Sequence, residues 1–245
     1  MLMRMSKKTS VQNILIYNWP IFRGICLLHQ RYKDVCFLAI AKAALPNYWL
    51  RKCRSAVWPT NGRPVHLHLG CGLKYLSGFV NIDANPLRKI DIWLDVRCGL
   101  PFANQSVESI YSTHMIEHLY HDELEDLLRE CARVLRPNGG LRLIVPSLRS
   151  AVLAYQDNRR DWFDDSFPRH FDSVGGRFSN FVFCDGQHRT AFDLGYLQEI
   201  LGRMGFSEVE ESAEGVSRLY GASVPSFEPN EVIGLPHSLY VEAFK

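Results

Sequence analysis

The chain has 245 residues, of which 47% are hydrophobic and 22% are charged, and this length can bury a substantial core. The composition excludes an intrinsically disordered, a collagen-like or a small disulfide-stapled protein. The formal net charge of +2 hides an uneven distribution, because residues 1–62 hold ten Lys or Arg and a single acid, Asp34. The remainder of the chain is therefore acidic on balance, and the two parts differ in character.

The cysteines and the hydrophobic runs indicate the cellular compartment of the protein. The seven cysteines form no C-x-x-C pair, which is typical of reduced thiols in a cytoplasmic protein. No run reaches ~18 uninterrupted apolar residues, so we expect no membrane-spanning helix. The first residues also lack the pattern of a signal peptide. We therefore expect a cytoplasmic protein, with membrane association left open by the basic first part.

The first part of the chain is predicted as a separate unit. Two prolines and a glycine near residues 58–64 interrupt any helix, and apolar residues before them recur at helical spacing. Residues 1–62 are therefore predicted as a basic, apolar helical extension. It could cap the second domain, bind an anionic membrane surface through residues 1–55, or bind nucleic acid. We do not expect nucleic-acid binding, because no basic stripe continues into the acidic remainder.

Residues 63–245 alternate between short apolar runs and helical patterns, which predicts an α/β domain with a mostly parallel sheet. An amphipathic helix is predicted over residues 122–135, with Asp122 and Glu125 as its capping box. Residues 147–189 read as an irregular insert, rich in aromatic and charged residues, of the kind that covers a site. The other predicted elements are strands at 65–69, 79–82, 90–94, 109–112, 141–145, 207–211 and 238–244, and a helix at 190–204.

Glycines and acids follow the first three predicted strands. Gly70 and Gly72 would let the backbone approach a ligand closely at the end of the first strand. Asp83 could accept hydrogen bonds from both hydroxyls of a ribose, and Asp95 could accept one from an adenine amino group. These residues predict a nucleoside ligand at the carboxyl edge of the sheet.

The same residues carry a family resemblance. In this order, the motifs resemble those of class I S-adenosylmethionine-dependent methyltransferases, in particular the type-11 group, over residues 63–150. The motifs are VHLHLGCG (65–72), NID (81–83), DV (95–96), LPF (100–102), MIEHL (115–119), RVLRPNGG (133–140) and VP (145–146). The resemblance implies a doubly wound, Rossmann-like sheet, with the segment 147–189 inserted after strand 5, and S-adenosylmethionine as the cofactor.

The resemblance also implies roles for single residues. It assigns Gly70, Cys71 and Gly72 to the methionine part of the cofactor and Asp83 to the ribose. The adenine is assigned to Asp95 with Val96, and His114 is expected near the reactive methyl group.

Three features depart from the family pattern. His68 stands where an acidic residue is usual, and the third glycine of the loop is missing. Only eleven positions separate Gly72 from Asp83, so the first helix should be shortened or distorted. The altered loop supports an alternative, a non-catalytic protein that binds S-adenosylmethionine.

Methyl transfer to a hydroxyl needs a base, and three residues are candidates for catalysis. His114 follows the fourth predicted strand, while Asp185 and His188 lie in a glycine-containing loop of the insert. The family resemblance implies a small or carrier-linked metabolite as the acceptor, such as a sugar or a glycolipid precursor.

A rival motif overlaps this region. His114-Met-Ile-Glu117-His118 matches the H-x-x-E-H pattern of one class of zinc peptidases, in which two imidazoles share a helical face. A zinc peptidase would leave Gly70 and Asp83 unexplained, and His114 falls at a strand end. We therefore expect no metal, and we interpret His118 as a core or capping histidine.

Overall fold

A computed structural model describes residues 64–85, 87–163, 169–221 and 234–245 of the chain. The predicted N-terminal extension, residues 1–62, lies outside the described residues, as do residues 164–168 of the predicted insert. Within the described ranges, no helix is both long enough and apolar enough to cross a membrane.

Seven strands of the described residues form one sheet in the order β3-β2-β1-β4-β5-β7-β6, and all are parallel except β7, which is antiparallel to both of its neighbours. The expected Rossmann-like, mostly parallel sheet is thus confirmed. The strand order reverses between β1 and β4, and in such sheets ligands bind beyond the carboxyl ends of the strands at this point. The strands are β1 (His66–Leu69), β2 (Val80–Asp83), β3 (Ile92–Trp93), β4 (Val107–Thr113), β5 (Leu135–Pro146), β6 (Glu208–Ser212) and β7 (Ser238–Phe244).

The part of the chain that the structure describes contains four α-helices: α1 (His121–Val134), α2 (Leu148–Gln156), α3 (Val174–Phe183) and α4 (Leu194–Arg203). The predicted apolar stripe of α1 is buried, with Leu124, Leu127 and Leu128 packed in the main core. The predicted cap was wrong, because α1 begins one residue earlier than expected. The Glu123 carboxylate accepts a hydrogen bond from the Tyr120 backbone N–H at 3.0 Å and so caps the helix start.

Strand β5 begins at Leu135, six residues before the predicted start. Leu135 pairs with Val107 and Gly140 pairs with Ser109, so the intervening residues bulge out of the ladder. A Cβ at Gly139 would lie 2.9 Å from the carbonyl oxygen of Glu108, and only glycine fits this close approach. The Pro-Asn-Gly-Gly run thus lies inside β5 as part of a bulge, after the helix has ended at Val134, and local signals do not reveal this placement.

The segment between β1 and β2 contains turns and no helix throughout residues 70–79, all of which the structure describes. We expected a shortened or distorted first helix, and in these residues the helix is absent altogether. Asn81 replaces helical hydrogen bonding there: its amide donates to the carbonyls of Leu76 and Phe79 at 2.9 and 3.0 Å. The short loop keeps the glycines close to the end of β2.

The insert is largely helical, which corrects the expectation of an irregular segment. Helices α2 and α3 pack together around a second apolar cluster that includes Trp162, Phe163 and Phe181. The Trp162 indole N–H donates to the carbonyl of Leu235 at 2.8 Å and joins the cluster to the segment before β7. These aromatic side chains stabilise the insert and do not contact the cavity described next.

Candidate functional site

A cavity of about 680 Å³ opens beyond the carboxyl ends of β1 and β2, where the strand order reverses. Its size falls in the usual range of small-molecule sites, ~300–1,000 Å³. Five predicted cofactor residues line it: Gly70, Gly72, Asp83, Asp95 and Val96. The wall also contains Ala84, Asn85, Arg88, Leu94, Arg97, Met115, His118, Leu119, Tyr120, Glu123, Gln187 and Arg189.

The glycine turn after β1 requires both of its glycines. Gly70 and Gly72 have φ values of +64° and +53°, which L side chains rarely adopt. A Cβ at Gly70 would also lie 2.2 Å from Cγ of Met115, another wall residue. The cavity floor therefore depends on a bare backbone at Gly70.

Asp83 connects this turn to the end of β2. Its Oδ2 accepts a hydrogen bond from the Gly72 backbone N–H at 2.8 Å, and its Oδ1 accepts one from Asn85 at 2.7 Å. A carboxylate has about four lone-pair positions, so acceptor capacity remains after these two bonds. The side chain is thus held at the cavity wall, where it can accept hydrogen bonds from ligand hydroxyls.

Asp95 is buried and paired with a neighbouring cation. Both of its oxygens accept from Arg97, at distances of 2.6–3.1 Å, and Oδ1 also accepts from the Arg97 backbone N–H at 3.0 Å. Hydrogen bonding to this carboxylate raises the pKa of Arg97. The pair fixes the position of Asp95 beside Val96, where the sequence predicts the adenine.

Cys71 differs from its two neighbours, because it is not among the wall residues. Its side chain is buried, and its Sγ lies 4.0 Å from the Lys89 carbonyl. Burial raises the pKa of the thiol to about 12. Cys71 therefore contributes packing, whereas Gly70 and Gly72 shape the cavity.

A buried carboxylate surrounded by imidazoles adjoins the cavity. Glu117 is 1% exposed, and its Oε1 lies 3.3 Å from Nδ1 of His114. Burial acts to raise the pKa of Glu117, but His114 and His118 outweigh it and the pKa is lowered. His114 itself has a φ of +45° and lies 3.3 Å from the Ser238 hydroxyl. It is not a wall residue, although the next residue, Met115, is.

His118 and His188 meet beside Glu117, with ring centroids 5.1 Å apart. His118 lines the cavity, so its interpretation as a core histidine was wrong: residues Ile116–His118 form a 3-10 turn that points this side chain outward. The zinc-peptidase geometry is absent for the same reason, because His114 precedes the turn and shares no helical face with His118. His188 lines a smaller adjacent cavity, and burial lowers its pKa.

The loop after α3 brings the end of the insert to the cavity. The backbone N–H groups of Arg189 and Thr190 donate to the Glu117 carbonyl at 2.7 and 3.2 Å. Gln187 and Arg189 reach the wall, whereas Asp185 does not: it pairs with Arg169 at 2.7 Å. The insert thus covers one side of the site, but not with the acid that the sequence suggested.

Sequence reasoning missed several wall residues, among them Arg88, Arg97, Tyr120 and Glu123. Tyr120 and Glu123 lie at the start of α1, where a corrected capping pattern would have placed them at the sheet edge. The arginines carry no local signal of this kind.

The sequence was also compared with known proteins. Residues 81–143 match a family model described as a methyltransferase domain, and this segment includes Asp83, Asp95 and His118. A search of curated proteins found no match. Among solved structures, an S-adenosylmethionine-dependent methyltransferase from Archaeoglobus fulgidus is similar, with 17% identity, a TM-score of 0.47, and coverage of 84% of this chain and 94% of that chain. Another from Mesorhizobium loti has 18% identity, a TM-score of 0.45, and coverage of 83% and 98%.

Proposed function

We propose that this chain is a class I S-adenosylmethionine-dependent methyltransferase that methylates a small or carrier-linked metabolite, with sugars and glycolipid precursors as the first acceptors to test. The observation that carries the proposal is the cavity itself. It combines the glycine turn with Asp83 and Asp95 at the ends of successive strands, and its wall continues onto the insert through Gln187 and Arg189.

The cofactor supplies a positively charged sulfonium that is already reactive, so the protein mainly has to orient the two partners and exclude water. Asp83 would accept from the ribose hydroxyls, and the Asp95–Val96 segment would contact the adenine. Gly70 would leave room for the methionine part above Met115.

The acceptor side of the cavity is proposed to face the insert. Arg88 and Arg189 are wall residues, and the Arg189 guanidinium lies over the Tyr120 ring, 5.2 Å from its centroid. Guanidinium groups pair well with phosphate or carboxylate oxygens. This favours an acceptor that carries a negative group, as a metabolite linked to a phosphate-containing carrier does.

The acceptor proton is proposed to leave through the imidazoles around Glu117. His114 and His188 remain candidates on this basis, and His118 joins them because it lines the cavity. Asp185 is the weakest candidate, because Arg169 holds its carboxylate outside the wall.

The cofactor assignment predicts a specific loss of affinity. Asp83→Ala should weaken S-adenosylmethionine binding about tenfold or more, since a hydrogen bond to a charged group contributes ~1.5–3 kcal/mol. Calorimetric titration measures this, with Asp126→Ala as the matched control, because Asp126 is exposed and pairs with Arg129. Equal affinity in a folded Asp83→Ala protein would contradict the assignment.

Transfer of a labelled methyl group to a metabolite extract tests the acceptor. We expect label in a compound with a phosphate or carboxylate group, identified by mass spectrometry. Label only in neutral compounds would refute the proposed role of Arg88 and Arg189. Tight cofactor binding without transfer to any fraction would instead favour a non-catalytic binding protein.

A further inference from the structure

The three residues Glu117, His118 and His188 form a group that the cofactor does not explain. One carboxylate and two imidazoles present ligand atoms that all lie within 4.8 Å of one another. Atoms bound to a common Zn²⁺ at ~2.0–2.1 Å are at most about 4 Å apart, so small side-chain rotations would close the set around an ion. The group differs from the H-x-x-E-H pattern, because His188 replaces His114.

Backbone carbonyls orient both imidazoles. Nδ1 of His118 lies 3.1 Å from the Gln187 carbonyl oxygen, and Nδ1 of His188 lies 3.2 Å from that of Val182. A carbonyl oxygen only accepts, so each Nδ1 carries the proton and each Nε2 keeps its lone pair. Metal-binding histidines are held in this way, with the second nitrogen donating to a carbonyl or a carboxylate.

The Glu117 carboxylate retains acceptor capacity beyond its contact with His114. The side chain is buried, and among the residues that the structure describes neither carboxylate oxygen has a hydrogen-bond partner of good geometry. His114 contacts only one side of the group, at 3.3 Å from Oε1. Burying a carboxylate is costly unless its oxygens are satisfied, and a cation between Glu117 and the two imidazoles would satisfy them.

We propose that Glu117, His118 and His188 bind a divalent transition-metal ion of the zinc type at the wall of the cavity. Two imidazoles with one carboxylate are a donor set that suits Zn²⁺ and related ions and leaves coordination positions open. Since His118 lines the cavity, an open position is within reach of an acceptor. A hydroxyl bound there would lose its proton more readily, a role that rests on the proposed function, whereas the ion site does not.

The test uses the full-length protein after treatment with a chelator and dialysis. Calorimetric titration with Zn²⁺ should show one equivalent bound per chain. Titration with Co²⁺ should produce the visible absorption of a nitrogen- and oxygen-bound ion, without a thiolate charge-transfer band. Glu117→Gln and His188→Asn should each weaken binding about tenfold or more.

The matched control is His121→Asn, because His121 is an exposed imidazole that contacts the Tyr196 hydroxyl at 2.8 Å. This variant should bind the ion like the unmodified protein. If Glu117→Gln fails to fold by circular dichroism, His118→Asn and His188→Asn decide the outcome.

Three results would overturn the inference: no stoichiometric binding, equal affinity in the folded histidine variants, or a thiolate band. Failure of the proposed function gives a different result. If the protein binds the ion but transfers no methyl group, the metal site stands and the proposed function fails. If the chelated protein binds no ion but transfers methyl groups fully, the metal site fails and the proposed function stands.

Discussion

His68 shows how a single departure from a family pattern is accommodated. It occupies the position in β1 where an acidic residue is usual, and its side chain is buried. Its Nδ1 lies 3.1 Å from Oδ1 of Asn81 on the neighbouring strand, and its ring packs edge-on against Tyr111. Burial lowers its pKa from 6.5 to about 4. His68 thus joins β1 to β2 as a neutral residue.

This burial predicts a dependence of stability on pH. Below pH 6.5 the unfolded chain binds a proton at His68 while the folded chain does not, so stability should fall between pH 6.5 and about 4. The contribution is about 3 kcal/mol over that window, at ~1.36 kcal/mol per pKa unit. Urea unfolding of the unmodified protein and of His68→Gln at several pH values measures it. A variant with the same pH slope as the parent would contradict the prediction.

At the residue scale, the sequence correctly predicted that the glycines and acids of the cavity lie together at the edge of the sheet. Gly70, Gly72, Asp83, Asp95 and Val96 all line the cavity, because each lies at the carboxyl end of a strand or within three residues of it, and these ends share one edge of the sheet. Cys71 and Asp185 do not, since side-chain direction within a loop depends on what packs around it.

At the scale of elements, a buried ion pair joins strands β5 and β7. Arg142 and Glu242 are opposite each other in the ladder, both side chains are buried, and they form an ion pair at 2.9 Å. Arg142 also donates to the carbonyls of Ala213 and Val216 at 2.9 Å. Glu242 accepts from the Arg218 backbone N–H at 2.8 Å. The pair therefore holds residues 213–218, which follow β6, against the sheet.

Breaking this pair should destabilise the fold strongly. Arg142→Met or Glu242→Gln should each cost about 3–5 kcal/mol, because the remaining partner is left buried without its counter-charge. The double variant Arg142→Met with Glu242→Met should cost less than the two single effects combined. Chemical unfolding provides the values, and Arg129→Ala, in an exposed pair, should cost ~0–1 kcal/mol. Additive effects in the double variant would show that the two side chains act independently.

Among the elements, the sequence predicted the strands and the long helix from periodicity, but not their ends. The start of β5 depends on a bulge opposite β4, and the helices of the insert depend on an apolar cluster that includes Trp162 and Phe181. Both features are contacts between distant segments, which a local pattern does not contain.

At the scale of the whole molecule, we propose that the basic N-terminal part brings the enzyme to an anionic membrane surface. Residues 1–55 combine ten Lys and Arg with several aromatic residues, and a cationic, aromatic segment binds anionic lipid by charge and by apolar burial. A lipid-linked acceptor would be met at the same surface.

Sedimentation with vesicles of mixed neutral and anionic lipid tests this. Binding should weaken as salt rises, and it should weaken further when Arg51, Lys52 and Arg54 are replaced by Gln, since each cation near the surface contributes about 1 kcal/mol. Vesicles of neutral lipid are the control. Vesicle binding that is unchanged by salt and by these substitutions would contradict an electrostatic attachment.

The sequence by itself determined the parallel α/β architecture and predicted both a shortened or distorted first helix and S-adenosylmethionine as the cofactor, because strand periods, the short spacing to Asp83 and the glycine turn are all local properties. Only the tertiary structure decided that Glu117, His118 and His188 meet. The first two lie in a turn after β4 and the third follows α3, and they come together because Arg189 and Thr190 donate to the Glu117 carbonyl. Such a group is assembled by packing between distant segments, and no spacing along the chain encodes it.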